Sequence, residues 1–174
     1  MAKIVVMGVA GSGKSLLAES LAKRLGYPMV EGDDYHLPAS QEKMRAGVAL
    51  EDSDREPWLA RVGELMAAHE GGIVVACSAL KRKYRDQLRS HVPDLKFVYI
   101  EIDVHTAARR VGSRSGHLFP TSLVTSQFVA LESPVGEPGV LEVSALATPQ
   151  AQVDAVAQWL AADRSESPRT KTPA

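Results

Sequence analysis

Hydrophobic residues along the chain form short apolar runs, which alternate with longer segments whose apolar positions recur every three or four residues. The runs are typical of buried β-strands, and the recurring positions are typical of helices that bury one face. The runs predict five strands, at residues 4–7, 29–30, 73–77, 97–100 and 140–143. Because helical segments separate the strands, we expect an α/β fold in three layers, with a five-stranded parallel sheet between helices.

Helix-end signals define several of the connecting helices. The apolar stripe after the first strand ends at Gly26, and Pro28 prevents the helix from continuing. A short helix is expected over 40–46 with Ser40 as its N-cap. A longer helix is expected to be capped by Ser53 or Asp54, with Pro57 in its first turn. Further helices are expected to begin within 78–85 and to cover 104–112, 122–131 and the segment around 153–160.

Length and charge limit the kind of protein. A chain of 174 residues with 45% hydrophobic residues is long enough for one domain with a full core, which we expect over residues 1–162. The stretch 163–174 lacks apolar anchors and is expected to be a disordered tail. With 20 Lys and Arg against 21 Asp and Glu, the net charge is −1. No overall field therefore favours a nucleic acid or a membrane surface as partner.

The number of cysteines and the N-terminal sequence indicate the cellular compartment in which the protein is expected. The single cysteine, Cys77, cannot form an internal disulfide, and the first predicted strand begins without a signal peptide. No apolar run has the length of a membrane span. We therefore expect a cytoplasmic protein.

The first predicted strand leads into a glycine-rich segment with the spacing G-x-x-x-x-G-K-S, which reads Gly8-Val9-Ala10-Gly11-Ser12-Gly13-Lys14-Ser15. Gly11 and Gly13 allow backbone angles at which successive N–H groups turn inward and form a nest for phosphate oxygens. We expect Lys14 to reach the terminal phosphates and the Ser15 hydroxyl to bind Mg²⁺. An ordinary glycine-rich turn would leave the Lys-Ser pair unexplained. The segment therefore predicts a binding site for nucleotide phosphates.

Polar residues follow other predicted strands, at the end of the sheet where open α/β folds bind ligands. Asp33 follows the second strand and is the leading catalytic candidate. After the third strand, Lys81 and Arg85 are expected at the mouth of the cleft as anion ligands. The neighbouring cations are expected on the surface as a solvated basic face: Arg82, Lys83 and Arg89.

The stretch 110–121 is polar, interrupted by glycine, and carries Arg110 and Arg114. This composition is typical of a mobile lid that carries positive charge to phosphates. An ordinary loop with two surface arginines is the alternative. For His117 two roles stay open, which are contact with a substrate on closure and a part in fixing the shape of the lid.

A phosphate loop alone does not distinguish a kinase from a switch or a motor. The chain has no asparagine, so the Asn-Lys-x-Asp signature of guanine recognition is absent, and no Asp-x-x-Gly follows the third strand. The strand that ends at Glu101 is a weak match to the acidic strand of a mechanical ATPase. These features favour a small phosphotransferase that moves the γ-phosphoryl group of ATP to a small acceptor.

Two further segments are highly specific, namely Asp54-Arg55-Glu56-Pro57-Trp58-Leu59 and Cys77-Ser78-Ala79-Leu80-Lys81. Together with Gly32-Asp33, His36, Gly116-His117 and Gln127-Phe128, they make the chain resemble the bacterial-type gluconokinases, relatives of shikimate kinase. The resemblance spans residues 4–160. It implies a P-loop kinase fold with a mobile lid, the use of ATP and Mg²⁺, phosphorylation of D-gluconate at its 6-hydroxyl, and usually a homodimer.

That substrate has one carboxylate and a chain of hydroxyls, so its pocket needs cations and hydrogen-bonding groups. Arg55, Lys81 and Arg85 are the expected cations. Asp33 is suited to orient the attacking hydroxyl and to take its proton, and His36 is expected beside the acceptor hydroxyls.

On the nucleotide side, Lys14, Arg110 and Arg114 are expected to neutralise charge on the transferred phosphoryl group, so that Lys14, Asp33 and Arg114 form the catalytic set. No acidic residue ends the third strand, and Mg²⁺ is expected to depend on Ser15, the phosphates and Asp33. Two alternatives stay open. One is a kinase of another hydroxy acid such as shikimate, and the other is a regulatory protein that binds ATP without transferring its phosphate.

Overall fold

A five-stranded parallel sheet forms the centre of the computed structural model, which describes residues 1–113 and 122–166. The strands are β1 (Lys3–Met7), β2 (Met29–Glu31), β3 (Ile73–Ala76), β4 (Lys96–Glu101) and β5 (Val140–Ser144). Their order across the sheet is β2-β3-β1-β4-β5, and every pair is parallel. The predicted fold class is therefore confirmed, with the phosphate-loop strand in the middle.

Helices cover both faces of the sheet. Within the described residues they are α1 (Lys14–Leu25), α2 (Pro38–Arg45), α3 (Asp52–Ala68), α4 (Arg82–His91), α5 (Val104–Ser113), α6 (Ser122–Ala130) and α7 (Pro149–Glu166). A 3₁₀ helix, Gly32–Tyr35, follows β2 directly. No helix in the described ranges is long and apolar enough to cross a membrane.

The two faces of β1 contribute to two separate cores. Ile4 and Val6 belong to a cluster with residues of α1 and α7, whereas Val5 and Met7 belong to a cluster with residues of α3 and α4. Burial on both faces explains why this strand is apolar at successive positions rather than at alternate ones. The strand is thereby held rigidly at the point where the phosphate loop begins.

Two helices begin earlier than the sequence predicted. Helix α2 begins at Pro38, and Ser40 is buried inside it rather than capping it. Helix α3 begins at Asp52, because Glu51 and Asp54 form a reciprocal capping box in which each side chain accepts a backbone N–H. Pro57 consequently lies inside this helix and not in its first turn.

The C-terminal helix α7 continues to Glu166, so residues 163–166 of the predicted tail are helical. Residues 167–174 of that tail and residues 114–121 of the predicted lid lie outside the described residues.

Candidate active site

The carboxyl ends of β1, β2 and β3 open onto a cleft of about 380 Å³. The loop after β1, the 3₁₀ helix after β2, and helix α6 each contribute to its walls. The residues that the sequence predicted for the site and that the cleft brings together are Ala10, Gly11, Gly13, Lys14, Ser15, Asp33, His36 and Arg55. Phosphate-loop residues and acceptor-side residues therefore share one cavity.

The loop Gly8–Ser15 has the backbone of an anion nest. Gly11 has a φ of 81°, and a Cβ atom placed on it would lie 2.7 Å from the carbonyl oxygen of Ala107. A side chain at this position would thus be excluded by both backbone strain and contact with α5. Helix α1 begins at Lys14, so its N-terminal N–H groups and the positive end of its dipole face the cleft. Lys14 itself donates to the Val9 carbonyl oxygen at 3.2 Å.

The Ser15 hydroxyl donates to the carboxylate of Glu31 at 2.5 Å. Burial raises the pKa of Glu31, the Ser15 hydrogen bond opposes this, and the charge of Asp33 raises the pKa further. Sequence reasoning missed Glu31, although an acidic residue at the end of a strand was a usable signal. The Ser15 hydroxyl and the carboxylates of Glu31 and Asp33 offer the hard oxygen ligands that Mg²⁺ prefers, so these side chains fit that ion. No three His, Cys, Asp or Glu residues in the described ranges form a metal site, so phosphate oxygens would have to complete it.

His36 is held by stacking rather than by its nitrogen atoms. The residue is 5% exposed, and its ring stacks on Trp58 with the centroids 3.9 Å apart. Its Nε2 atom lies 3.7 Å from a carboxylate oxygen of Asp33, and its buried Nδ1 atom has no hydrogen-bond partner among the described residues. An imidazole placed in this way can still form a hydrogen bond with a bound ligand.

Trp58 also fixes the backbone that carries Asp33. Its indole N–H donates to the Gly32 carbonyl oxygen at 2.7 Å. Gly32 lies so close to β3 that an added Cβ atom would be 2.4 Å from the Ala76 carbonyl oxygen. Trp58 therefore positions both predicted acceptor-side residues, a role that the sequence alone did not reveal.

Arg55 connects the cleft to a neighbouring recess of about 280 Å³, which Lys81 also lines. Arg55 donates to the Leu50 carbonyl oxygen at 3.0 Å and to the Tyr84 hydroxyl at 3.2 Å, and its guanidinium lies over the Tyr84 ring. These contacts use one terminal nitrogen and direct the guanidinium towards the cleft wall. The remaining N–H groups have no partner among the described residues.

Lys81 forms an ion pair with a carboxylate in the same recess. Its ammonium group lies 3.1 Å from Asp52, which also accepts hydrogen bonds from Lys83 and Tyr84. The hydrogen bonds from Lys83, Tyr84 and Lys81 hold the pKa of Asp52 well below its usual range. Lys81 therefore lies beside the cleft with part of its charge already balanced.

The structure does not place Arg85 at the mouth of the cleft. Its side chain is fully buried, and all five N–H groups are donated within the protein. The acceptors are the Glu137 carboxylate and the carbonyl oxygens of Ala79, Leu80 and Glu132. No donor remains for a substrate. Arg89, predicted on the surface, is also largely buried and binds Glu137 at 3.0 Å.

Arg110 lies on α5 beside the phosphate loop. It donates to the Gly11 carbonyl oxygen at 3.3 Å and to the Ala145 carbonyl oxygen at 3.1 Å, which places it between the loop and the segment after β5. Arg114 and His117 lie outside the described residues.

Helix α6 contributes a further wall that sequence reasoning did not assign. Leu123, Ser126 and Gln127 line the cleft from this helix, at the spacing of one helical face. The Gln127 side chain accepts the backbone N–H of Ala10 at 2.7 Å, so α6 is joined directly to the phosphate loop.

The fold and this cleft together define a P-loop kinase, because a phosphate nest at the start of α1 faces an acidic residue and a cation across one cavity. A family model described as an AAA domain matches residues 4–134. The gluconokinase of Gluconobacter oxydans is 45% identical over 146 residues, which is 81% of each chain. The chain belongs to the gluconokinase family.

Solved structures agree with this assignment. A crystal structure of a gluconokinase from Sinorhizobium meliloti is similar with a TM-score of 0.82 and 42% identity, over 93% of this chain and 97% of that one. The shikimate kinase of Aquifex aeolicus has a TM-score of 0.63 at 18% identity, over 93% and 98% of the two chains, which shows the shared fold.

Proposed function

We propose that this protein transfers the γ-phosphoryl group of ATP to the 6-hydroxyl of D-gluconate, giving 6-phospho-D-gluconate and ADP. The observation that carries the proposal is the single cleft in which the phosphate loop faces Asp33, His36 and Arg55. Membership of the gluconokinase family supports the choice of acceptor.

On the donor side, the phosphates of ATP are bound by the loop and by Arg110. The loop residues proposed for this role are Gly8, Ala10, Gly11, Ser12, Gly13, Lys14 and Ser15. Lys14 exchanges its contact with the Val9 carbonyl for the terminal phosphates, and Arg110 is already held beside Gly11. Arg114 stays a predicted catalytic contact.

Mg²⁺ is the proposed cofactor. When bound, it supplies positive charge to the phosphate oxygens. Ser15, Glu31 and Asp33 are the side chains that would hold it, directly or through water. We expect EDTA to abolish turnover and added Mg²⁺ to restore it.

On the acceptor side, Asp33 accepts the proton of the 6-hydroxyl while the hydroxyl oxygen bonds to the γ-phosphorus atom. The bond from that phosphorus to the β,γ-bridging oxygen breaks, and ADP leaves with its electron pair. His36 donates or accepts a hydrogen bond to the sugar hydroxyls. Arg55 binds the carboxylate with its remaining N–H groups, and Lys81 adds positive charge from the neighbouring recess. His117 stays a predicted substrate contact.

The family also leads us to propose a homodimer that acts in the cytoplasm. Light scattering during gel filtration tests the oligomeric state, and fractionation of cells tests the location.

The direct test is ADP release by the purified protein with Mg-ATP, in the presence and absence of D-gluconate. Shikimate and a second aldonic acid serve as control acceptors. Stimulation by gluconate alone supports the proposal, whereas equal rates with the other acids would refute the assigned substrate. Binding of ATP without stimulation by any acceptor would instead indicate a regulatory ATP-binding protein.

A further inference from the structure

Gln127 joins two parts of the molecule that are far apart in sequence. It lies on α6, and its Oε1 atom accepts the backbone N–H of Ala10 at 2.7 Å. Because a backbone N–H can only donate, the facing atom of the amide must be its oxygen. The NH₂ group is therefore on the opposite branch of the same amide, and its position does not depend on an arbitrary assignment of nitrogen and oxygen.

That NH₂ group has no hydrogen-bond partner within residues 1–113 and 122–166. Gln127 lines the same cleft as Lys14, Ser15 and Asp33. Ala10, the residue to which the amide oxygen is bound, belongs to the phosphate loop and is 9% exposed. The donor branch is thus held beside the phosphate loop, on a residue that lines the cavity.

We propose that Gln127 is a phosphate-contacting residue, whose carbonyl oxygen positions the loop at Ala10 and whose NH₂ group donates to an oxygen of the terminal phosphoryl group of ATP. The inference rests on the proposed transfer from ATP and adds a specific donor to it. A hydrogen bond from a neutral amide to a charged oxygen is of the stronger kind, and it stabilises the oxygen without adding a further cation.

Two substitutions separate the positioning role from the contact. Gln127→Glu retains an oxygen that accepts the Ala10 N–H, but it replaces the donor by a second carboxylate oxygen. Gln127→Met has a similar length and removes both functions. If Gln127 only anchors the loop, the new charge of the Glu variant will weaken the binding of ADP and of an ATP analogue to a similar extent, and the Met variant will also bind both more weakly. If the NH₂ group contacts the terminal phosphoryl group, the loss in the Glu variant will fall mainly on the ATP analogue.

The measurement is calorimetric titration with ADP and with a non-hydrolysable ATP analogue, both with Mg²⁺ and without gluconate. For Gln127→Glu we expect the affinity for the ATP analogue to fall by roughly tenfold or more, and the affinity for ADP to change much less. Equal affinities of the Glu variant and the wild type for the ATP analogue would overturn the proposed contact, as would equal losses for the two nucleotides.

Val129→Glu is the matched control, because it adds the same charge to the same helix at a side chain that is 82% exposed. It should bind both nucleotides as the wild type does. Since the titration contains no acceptor, its result is independent of the gluconate assignment. A failure of gluconate-dependent ADP release would therefore refute the proposed function while leaving the Gln127 contact to be decided by the titration.

Discussion

The guanidinium group of Arg85 and the carboxylate of Glu137 form a buried ion pair with two hydrogen bonds, of 2.9 Å and 2.6 Å. Arg85 also donates to the carbonyl oxygen of Ala79, whose φ of 45° is rare for a residue with a side chain. Ser78, beside Ala79, lines the cleft. The ion pair therefore stabilises a strained turn that forms part of the active-site wall.

Replacing Arg85 should destabilise the fold. Arg85→Ala leaves the carboxylate of Glu137 buried without this partner, and we expect the free energy of unfolding to fall by about 3–5 kcal/mol. Urea denaturation followed by circular dichroism measures the loss. Arg82→Ala, on the same helix but with a 59% exposed side chain, should change the free energy by less than about 0.5 kcal/mol. Equal stability of the two variants would contradict the structural role of Arg85.

The same ion pair predicts a dependence of stability on pH. Burial raises the pKa of Glu137, but the hydrogen bonds from Arg85 and Arg89 outweigh this effect and keep it below the ordinary value of 4.5. A carboxylate with a lowered folded-state pKa contributes stability that is complete above its unfolded pKa and is lost as the pH falls through the folded value. We expect Glu137→Gln to be less stable than the wild type at neutral pH, and this difference to shrink below pH 4.5. Parallel stability curves for the two proteins, measured by urea denaturation at several pH values, would show that Glu137 does not titrate in this way.

Local features of the sequence were sufficient to predict the sheet and the phosphate loop. The apolar run of β1 and the spacing from Gly8 to Ser15 involve neighbouring residues, so their structural meaning does not depend on distant contacts. The prediction of the sheet was confirmed for the same reason, since each strand contains a short run of apolar residues, which only in β5 is interrupted by a charged residue, Glu142.

Side-chain partners could not be predicted in this way. Helical spacing put Arg85 on one face with Lys81, but it could not reveal that this face meets Glu137, 52 residues further along the chain. The hydrogen bond from Trp58 to Gly32 likewise depends on how α3 packs against the end of β2. Such roles follow from tertiary packing, which the pattern of a single segment does not contain.

Asp33 is expected to act as the general base. Asp33→Asn keeps the shape of the side chain and one acceptor oxygen but cannot take the proton, so kcat should fall by roughly 10² or more. Steady-state ADP release with gluconate measures this change. Asp34→Asn is the matched control, because Asp34 is the exposed neighbour in the same 3₁₀ helix. Similar rates for both variants would remove Asp33 from its proposed role.

Arg55 is expected to recognise the carboxylate of the acceptor. Lysine cannot retain the bonds to Leu50 and Tyr84 and also present a planar pair of donors, so Arg55→Lys should raise the KM for gluconate by about tenfold. The KM for ATP should be nearly unchanged. Arg61→Lys, on the exposed side of the same helix, should alter neither constant. A rise confined to the KM for ATP would move Arg55 to the phosphate side of the cleft.

Cys77 provides an internal probe of the turn that Arg85 holds. The thiol is fully buried at the end of β3, and burial raises its pKa to about 12. Because only the thiolate reacts rapidly, we expect no modification by a disulfide reagent at neutral pH until the protein opens. Loss of the Arg85 contacts should make that opening more frequent, so Arg85→Ala should be modified faster than the wild type in the absence of urea, and Arg82→Ala should not. Absorbance of the released thiol gives the rates. Rapid modification of the native wild type would mean that the turn does not seal Cys77 from solvent.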